Sequence, residues 1–423
     1  MKRAIFLLLT ILPTLAWAQF DKYFADASLR VDYCLTGNQY ETHYSLKELI
    51  REPYWSGSKT NLIDSLGLGN YYVKVYETGT ENLLYSKGYR NLFGEWTTTT
   101  EAQNFTKTFE ETVIIPFPKV KVDIAFSHRN WDGELEGGMC ITVSPDDSYI
   151  RNNINLNIPV YDAWIGNEDC TKAVDVVLLP EGYTEDEMDK FVKDCDFFVK
   201  SLFDYAPYNR YRNSFNIRGL MVASKESGCT IPADHIYKNT AFRFCFWTFE
   251  SERYCMSTDN RDIRDLAGQV PYDQIYVLVN TDKYGGGGIF NFYCSSTTHN
   301  SYSSDVIIHE FGHGFADLAD EYYSDETGFD EMYNLGVEPI EPNITTMMDF
   351  NNKWGDMINK NTPVPTPRNL QYQYTIGVFE GGGYNSKGIY SPYMDCLMKS
   401  FNGHEFCPVC QRAIERMILH YSK

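Results

Sequence analysis

The stretch "HEFGHGFADLADEYY", His309 to Tyr323, decides how this chain is read. Two histidines stand four residues apart, a glutamate follows the first, and Asp317, Asp320 and Glu321 come after. On a helix, residues four apart differ by about 40° in azimuth, so His309 and His313 project from one face. Two imidazoles so placed can hold one Zn²⁺ at about 2.0–2.1 Å each. Glu310 then points beside the metal rather than at it, the position of a general base toward water. Zinc lowers the pKa of a water it holds to about 7, and the carboxylate takes the proton as that water attacks a carbonyl. The bland alternative is an acidic helix with two incidental histidines. Its surroundings argue against that: Val306, Ile307, Phe311, Phe315 and Leu318 recur at the spacing of a buried helix. Buried imidazoles and carboxylates need partners, and a metal supplies them.

A third protein ligand is required. The metzincin pattern HExxHxxGxxH/D places a glycine and then a ligand after the second histidine, but here those positions hold Ala316 and Ala319. Asp320 follows one residue later. A straight helix would carry it about 16 Å along the axis from His309, out of reach of the same ion. Ligation by Asp320 therefore requires the helix to end soon after His313 and the chain to fold back. Asp317 is the candidate to end it, by a hydrogen bond from its own side chain. Glu321 is the next candidate ligand, and Glu338 or Glu341 would match the longer spacing of thermolysin-like sites. The same acidic run also offers a carboxylate site for a structural Ca²⁺, or a solvated helix end.

The chain has 423 residues, enough for two or three domains. Its 43% hydrophobic and 15% aromatic content is that of a folded protein, not a disordered one. A formal net charge of -20 argues against nucleic acid, which is held by basic patches that release counterions, and against anionic membrane surfaces. "MKRAIFLLLTILPTLAWAQ" reads as a signal peptide over residues 1–18. Lys2 and Arg3 open it, a short apolar run follows, and Ala16-Trp17-Ala18 forms the cleavage site. The expected mature chain starts at Gln19 and is secreted or periplasmic, with no membrane insertion. Eleven cysteines in an exported chain suggest disulfides, with at least one thiol left over. Cys396, Cys407 and Cys410 sit close enough in sequence for a local bridge. "CPVC" reads as part of such a bridge, ahead of a thioredoxin-like site or a zinc knuckle.

From residue 19 to 150 the pattern is one of short strands. "SLRVDYCL", "NYYVKVYET", "ETVIIPF", "KVKVDIAF" and "MCITVS" are β-branched or aromatic runs separated by turn clusters, and predict a β-sandwich domain. A polar connector, "DDSYIRNNINLNIPVYDAWIGNEDC", leads into an α/β domain spanning 151–423. There "AVDVVLLPEGY", "FNIRGLMVAS" and "DQIYVLVNT" are predicted strands. "TEDEMDKFVKDCDFFVKSLFDYAPY" is a helix with a Thr184/Glu187 capping box. "KYGGGGIFNFYCSS" is a glycine-rich turn leading into an edge strand that could pair with an extended peptide. The overall class is α+β.

"HEFGHGFADLADEY", "EPNITT" and "CLMKS…EFCPVCQRAI" together resemble the immunoglobulin A peptidase family of secreted zinc metallopeptidases, over roughly residues 160 to 423. The resemblance implies a metzincin-like zinc endopeptidase acting on a protein or peptide, with a smaller β-rich domain in front. It does not carry immunoglobulin A over as the substrate. By analogy with the methionine turn of metzincins, Met398 is the candidate beneath the metal, ahead of Met347 and Met348. Tyr390 and Tyr393, close by in sequence, are the candidate oxyanion stabilisers. The expected function is thus zinc-dependent peptide hydrolysis by Glu310, with His309, His313 and Asp320 as ligands. Two rival readings are a weakly active glycan- or protein-binding protein on a peptidase scaffold, and a zinc amidase acting on cell-wall peptides.

Overall fold

The computed structural model describes residues 19–323 and 332–423; residues 1–18, read from sequence as a signal peptide, lie outside them. The first half supplies eight strands: β1 (Phe24–Gly37), β2 (Thr42–Glu52), β3 (Tyr71–Glu77), β4 (Leu83–Tyr89), β5 (Lys107–Pro118), β6 (Val122–Arg129), β7 (Leu135–Val143) and β8 (Ile150–Asn152). They form two four-stranded sheets, ordered β5-β1-β2-β8 and β4-β3-β6-β7. Alternation in β1 buries Leu29, Val31, Tyr33 and Leu35 completely. These meet Val73, Val75, Ile124 and Phe126 of the other sheet in one apolar cluster. A short helix, α1 (Leu92–Thr97), is capped by Asn91, whose side chain accepts the Gly94 N–H at 2.8 Å.

The second half is built on a six-stranded sheet of β9 (Val160–Ile165), β10 (Val174–Glu181), β11 (Phe215–Leu220), β12 (Gln274–Val279), β13 (Gly286–Gly288) and β14 (Cys294–Thr297). The order is β13-β14-β12-β10-β11-β9. The four inner strands run parallel and the two edge strands antiparallel to their neighbours. Parallel inner strands are buried on both faces, and every residue of β10 is buried. Val177 and Leu179 join the apolar cluster that continues into the N-terminal sheets. Val176 and Leu178 face the other way, into a cluster with Phe198, Phe311 and Ile414. Those three lie on α2 (Met188–Asp204), α4 (Ser303–Ala316) and α5 (Pro408–Ser422). The capping box read from sequence is formed just before α2, with Thr184 N–H donating to Glu187 Oε2 at 2.9 Å.

The N-terminal sheets therefore cover the face of the central sheet that carries Val177 and Leu179. Helix α3 (Asn260–Ala267) packs between them and contributes Asp265 to a buried ionic group. Arg30 of β1, fully buried, donates to Asp32 at 2.7 and 2.8 Å and to Asp265 at 2.7 Å. A hairpin of β15 (Phe379–Gly382) and β16 (Asn385–Ser391) lies beyond the main sheet. The described chain is thus mixed α+β, with several sheets and few helices. No described helix is long and apolar enough to cross a membrane.

Two parts of the reading are corrected. The polar connector holds two strands, β8 and β9, which sit at sheet edges and need only one partner each. The glycines before Cys294 are themselves the edge strand, and the strand after them lies inside the sheet. Gly288 explains the glycine content: a Cβ there would lie 2.3 Å from the Glu310 carbonyl oxygen, so only glycine lets the strand run against α4.

Candidate active site

Helix α4 carries the paired histidines out of the apolar core. Val306, Ile307, Ile308, Phe311 and Phe315 are buried, while His309, Glu310 and His313 are half-buried along a cavity. Its first turn is fixed by Asp305, which accepts the Tyr205 hydroxyl at 2.6 Å and meets His404 Nδ1 at 2.6 Å. His309 Nδ1 lies 3.0 Å from the Leu397 carbonyl, and His313 Nδ1 lies 2.5 Å from the Leu318 carbonyl. A carbonyl can only accept, so each Nδ1 carries a proton and each ring turns its Nε2 the other way.

Those two Nε2 atoms face each other at 3.1 Å. Asp320 Oδ1 lies 3.1 Å from one and 3.3 Å from the other. Despite this closeness, Oδ1 is buried without a well-formed hydrogen bond. Three ligand-type atoms converge on one point, an arrangement that positive charge relieves, whether from a metal ion or from a proton on an imidazole. The electrostatics agree. Burial disfavours charge on His313, but Asp320 and Glu310 outweigh it and push the imidazole up to about 9. Burial likewise opposes charge on Asp320, yet His313 and His309 hold its carboxyl well below the usual range. Glu310 lies beside the convergence point, its carboxyl pushed up by burial. The three residues fit a divalent metal, with Glu310 left free to act on a proton.

Asp320 reaches the histidines because α4 stops at Ala316. Asp317 takes the left-handed conformation, φ 51° and ψ 35°, usually taken by glycine at a helix end. Its N–H bonds back to the His313 carbonyl at 3.1 Å, and the Leu318 N–H to that of Gly312 at 3.3 Å. The expected bond from the Asp317 side chain to its own helix end is not the device. That side chain instead accepts the Gly69 N–H at 2.8 Å and pairs with Arg90, both from the N-terminal half. Arg90 also pairs with Glu341 at 2.7 Å. Asn343 completes the turn: its Oδ1 accepts the Ala319 N–H and its Nδ2 donates to the Ala319 carbonyl, both at 2.8 Å.

Arg90→Ala should therefore cost about 3–5 kcal/mol of stability, because it strands two buried carboxylates. The shift in denaturant midpoint measures it, and a loss below about 1 kcal/mol would mean the pair behaves as a surface bridge.

The family model described as IgA Peptidase M64 matches residues 165–375 and 367–418 of the chain. A second model, Peptidase M64 N-terminus, matches residues 19–138. The chain belongs to the IgA peptidase M64 family. Members of this family are peptidases, hydrolases that act on protein or peptide substrates. No match is found among curated proteins.

In this M64-family chain, the other sequence candidates fall in several places. Met398 is fully buried beneath α4, where its sulfur would lie 3.0 Å from a Cβ on Gly312. The Met398 carbonyl also accepts the Glu321 N–H at 2.7 Å. Met347 and Met348 do not line the cavity. Tyr390 and Tyr393 do not line it either: Tyr390 sits on β16 paired with Thr345, and Tyr393 packs against the helical core. The structure brings Tyr384 there instead. Its hydroxyl donates to Asp320 Oδ2 and accepts from Tyr322 at 3.1 Å, and Arg253 donates to Tyr322. No sequence motif points to Tyr384, which reaches the histidine–aspartate cluster from the β15–β16 turn.

The acidic run does not gather into a calcium site. Asp317 turns to Arg90, Asp320 to the histidines, and Glu321 to a group of buried cysteines. Among the described residues, neither cluster suited to a metal is built of carboxylates alone. Glu341 lines the cavity but is held by Arg90, and Glu338 pairs with Lys353 at 3.0 Å. All eleven cysteines are free thiols, so the expected local disulfide is not formed.

The cavity measures about 360 Å³, and the β13 glycines line it alongside the histidines. The outer edge of β13 is partly taken. Gly286 N–H donates to the Arg253 carbonyl at 3.0 Å, and its own carbonyl accepts the Cys255 N–H at 3.2 Å. A groove of about 860 Å³ adjoins this cavity. The two share Arg90, Glu95, Tyr333 and Glu341, and the groove also takes in Tyr40 and Trp131 of the N-terminal sheets.

Proposed function

We propose that this chain is an exported, zinc-dependent endopeptidase whose metal is held by His309, His313 and Asp320 and whose general base is Glu310. The observation that carries the reading is the convergence of two imidazole Nε2 atoms and a carboxylate oxygen on one point in a cavity, with a second carboxylate beside it. Family membership supports peptide hydrolysis. Export rests on the signal-like residues 1–18. On this reading the two N-terminal sheets are a β-sandwich, and the α/β half is metzincin-like. Support for the latter is an edge strand beside the histidine helix and a methionine turn beneath it.

When bound, the metal supplies Lewis acidity to water and to the scissile carbonyl. The protein supplies the rest. Leu397 and Leu318 carbonyls fix the imidazole orientations and raise their basicity as ligands. Glu310 takes the proton of the attacking water on its carboxylate and passes it to the departing amine nitrogen. Arg253, Tyr322 and Tyr384 form a chain of donors that ends on Asp320 and faces the cavity, where negative charge develops on the substrate oxygen. β13 and the adjoining groove give an extended polypeptide a path on both sides of the metal, which suits cleavage within a chain.

The test is incubation of the purified protein with a peptide library drawn from whole proteomes. Internal cuts should appear, cease after treatment with a strong chelator, and return on adding Zn²⁺. Cleavage that a chelator leaves untouched would refute the zinc reading. N-terminal peptide mapping of exported protein should begin at Gln19.

A further inference from the structure

Behind the histidine cluster lies a second group of ligand-type side chains. Glu321, Cys396, Cys407 and Cys410 are 0%, 4%, 3% and 0% exposed. One donor atom from each lies within 4.8 Å of all the others. We propose that these four residues bind a second, structural Zn²⁺ that fixes the turn carrying Asp320.

The spacing matches a metal and not a disulfide. Cys396 Sγ and Cys410 Sγ are 3.7 Å apart. Two thiolates on one tetrahedral zinc, each at about 2.3 Å, stand about 3.8 Å apart. A disulfide would bring them to about 2.05 Å. Cys410 Sγ lies 3.2 Å from Glu321 Oε1, close to the roughly 3.5 Å expected between a sulfur and an oxygen ligand of that ion.

The backbone is arranged for sulfur anions. Cys407 N–H points at Cys396 Sγ from 3.2 Å, and Cys410 N–H at Cys407 Sγ from 3.5 Å. Cys407 is the cap of α5 and Cys410 lies in its first turn, where the helix dipole favours negative charge. Pro408 at the first helical position has no N–H to compete there. One oxygen is left over. Glu321 Oε2 is buried with no hydrogen-bond partner, while Asn343 donates to Oε1 at 3.0 Å. A fully buried carboxylate with an orphan oxygen among three thiols is a place where a cation supplies the missing partner. A closed set of four ligands, three of them sulfur, is that of a structural zinc rather than a catalytic one.

The four ligands come from three segments, two of which also build the histidine site. Glu321 follows Asp320 directly, so adjacent residues serve adjacent ions. Cys396 precedes Leu397, whose carbonyl orients His309, and Met398, whose carbonyl receives the Glu321 N–H. Cys407 and Cys410 anchor this turn to α5. An ion here sets the position of Asp320 without touching the reaction.

The test counts metal in the full-length protein purified without chelator. The parent should carry two equivalents, and His309→Ala/His313→Ala should keep one. X-ray absorption on that double variant should show sulfur as the main scatterer. Denaturation in chelator, without reductant, should release eleven titratable thiols. Cys407→Ser/Cys410→Ser should lose the second ion. The proposal does not depend on that variant folding, because the histidine variant alone decides it. A histidine variant without metal, or a peptide map joining Cys396 to Cys407 or Cys410 by a disulfide, overturns the proposal. Two equivalents retained in the histidine variant would instead refute the histidine site and leave this one standing.

Discussion

Glu310→Gln should lower turnover by about 10²–10⁴-fold and leave the metal content unchanged. Glutamine keeps the volume and one acceptor oxygen, so the change removes proton transfer and little else. Space matters here because Glu310 is tightly placed: its Cγ would lie 3.1 Å from a Cβ on Gly286. A larger or differently branched residue would push β13 away and confound the result. Two of the carboxylates around the histidines are already engaged. Asp320 is engaged with both imidazoles, and Glu341 is neutralised by Arg90. Single-turnover hydrolysis of a cleaved library peptide, with metal measured on the same sample, separates loss of the base from loss of the ion. Near-parental turnover would remove Glu310 from the mechanism.

The histidine helix was legible because its chemistry and its burial are written in one short segment. Apolar residues at helical spacing and two histidines at i and i+4 leave one geometry. The return of Asp320 was legible only as a requirement. What achieves it lies elsewhere in the sequence. A left-handed Asp317 has no local signal when the residue is not glycine, and its anchors, Gly69 and Arg90, are more than two hundred residues away. The same holds for Asn343, which clamps Ala319 from within "EPNITT". Tyr390 and Tyr393 are close to Met398 in sequence, but β16 carries one to a strand pair and the other joins the helical core. Tyr384 enters because the hairpin turn points at the histidines and Asp320.

Strand prediction failed where tertiary pairing overrides local preference. β2, "THYSLKELIRE", contains helix formers and shows no clean alternation, yet it pairs along its length with β1. β4, "LLYSKGY", is short and contains a glycine, and it is held by β3 alone. The cysteine spacing is ambiguous for a related reason. Spacing alone suits a disulfide or a metal equally, and the fourth member, Glu321, sits in the acidic run whose other residues serve the histidines and Arg90.

Asp320→Ala should weaken metal binding at the histidine site by more than about 100-fold, beyond the 10–100-fold that outer partners are worth. Two imidazoles alone cannot complete a site that normally takes three protein ligands. The variant also removes the oxygen to which the Tyr384 hydroxyl donates, so a water can enter but no anionic ligand replaces the carboxylate. Glu341→Ala should behave differently. Glu341 pairs with Arg90 and accepts from Tyr333 at 3.3 Å, so its loss should lower the melting temperature and leave metal affinity near the parent's. Glu321→Ala should likewise spare the histidine site directly, because its carboxylate points to the cysteines. Competition with a chromophoric chelator ranks the three variants, and circular dichroism confirms that each is folded. Parental affinity in Asp320→Ala, together with loss of the ion in Glu341→Ala, would move the third ligand to the longer spacing. The left-handed turn at Asp317 would then serve the contact with Arg90 rather than the metal.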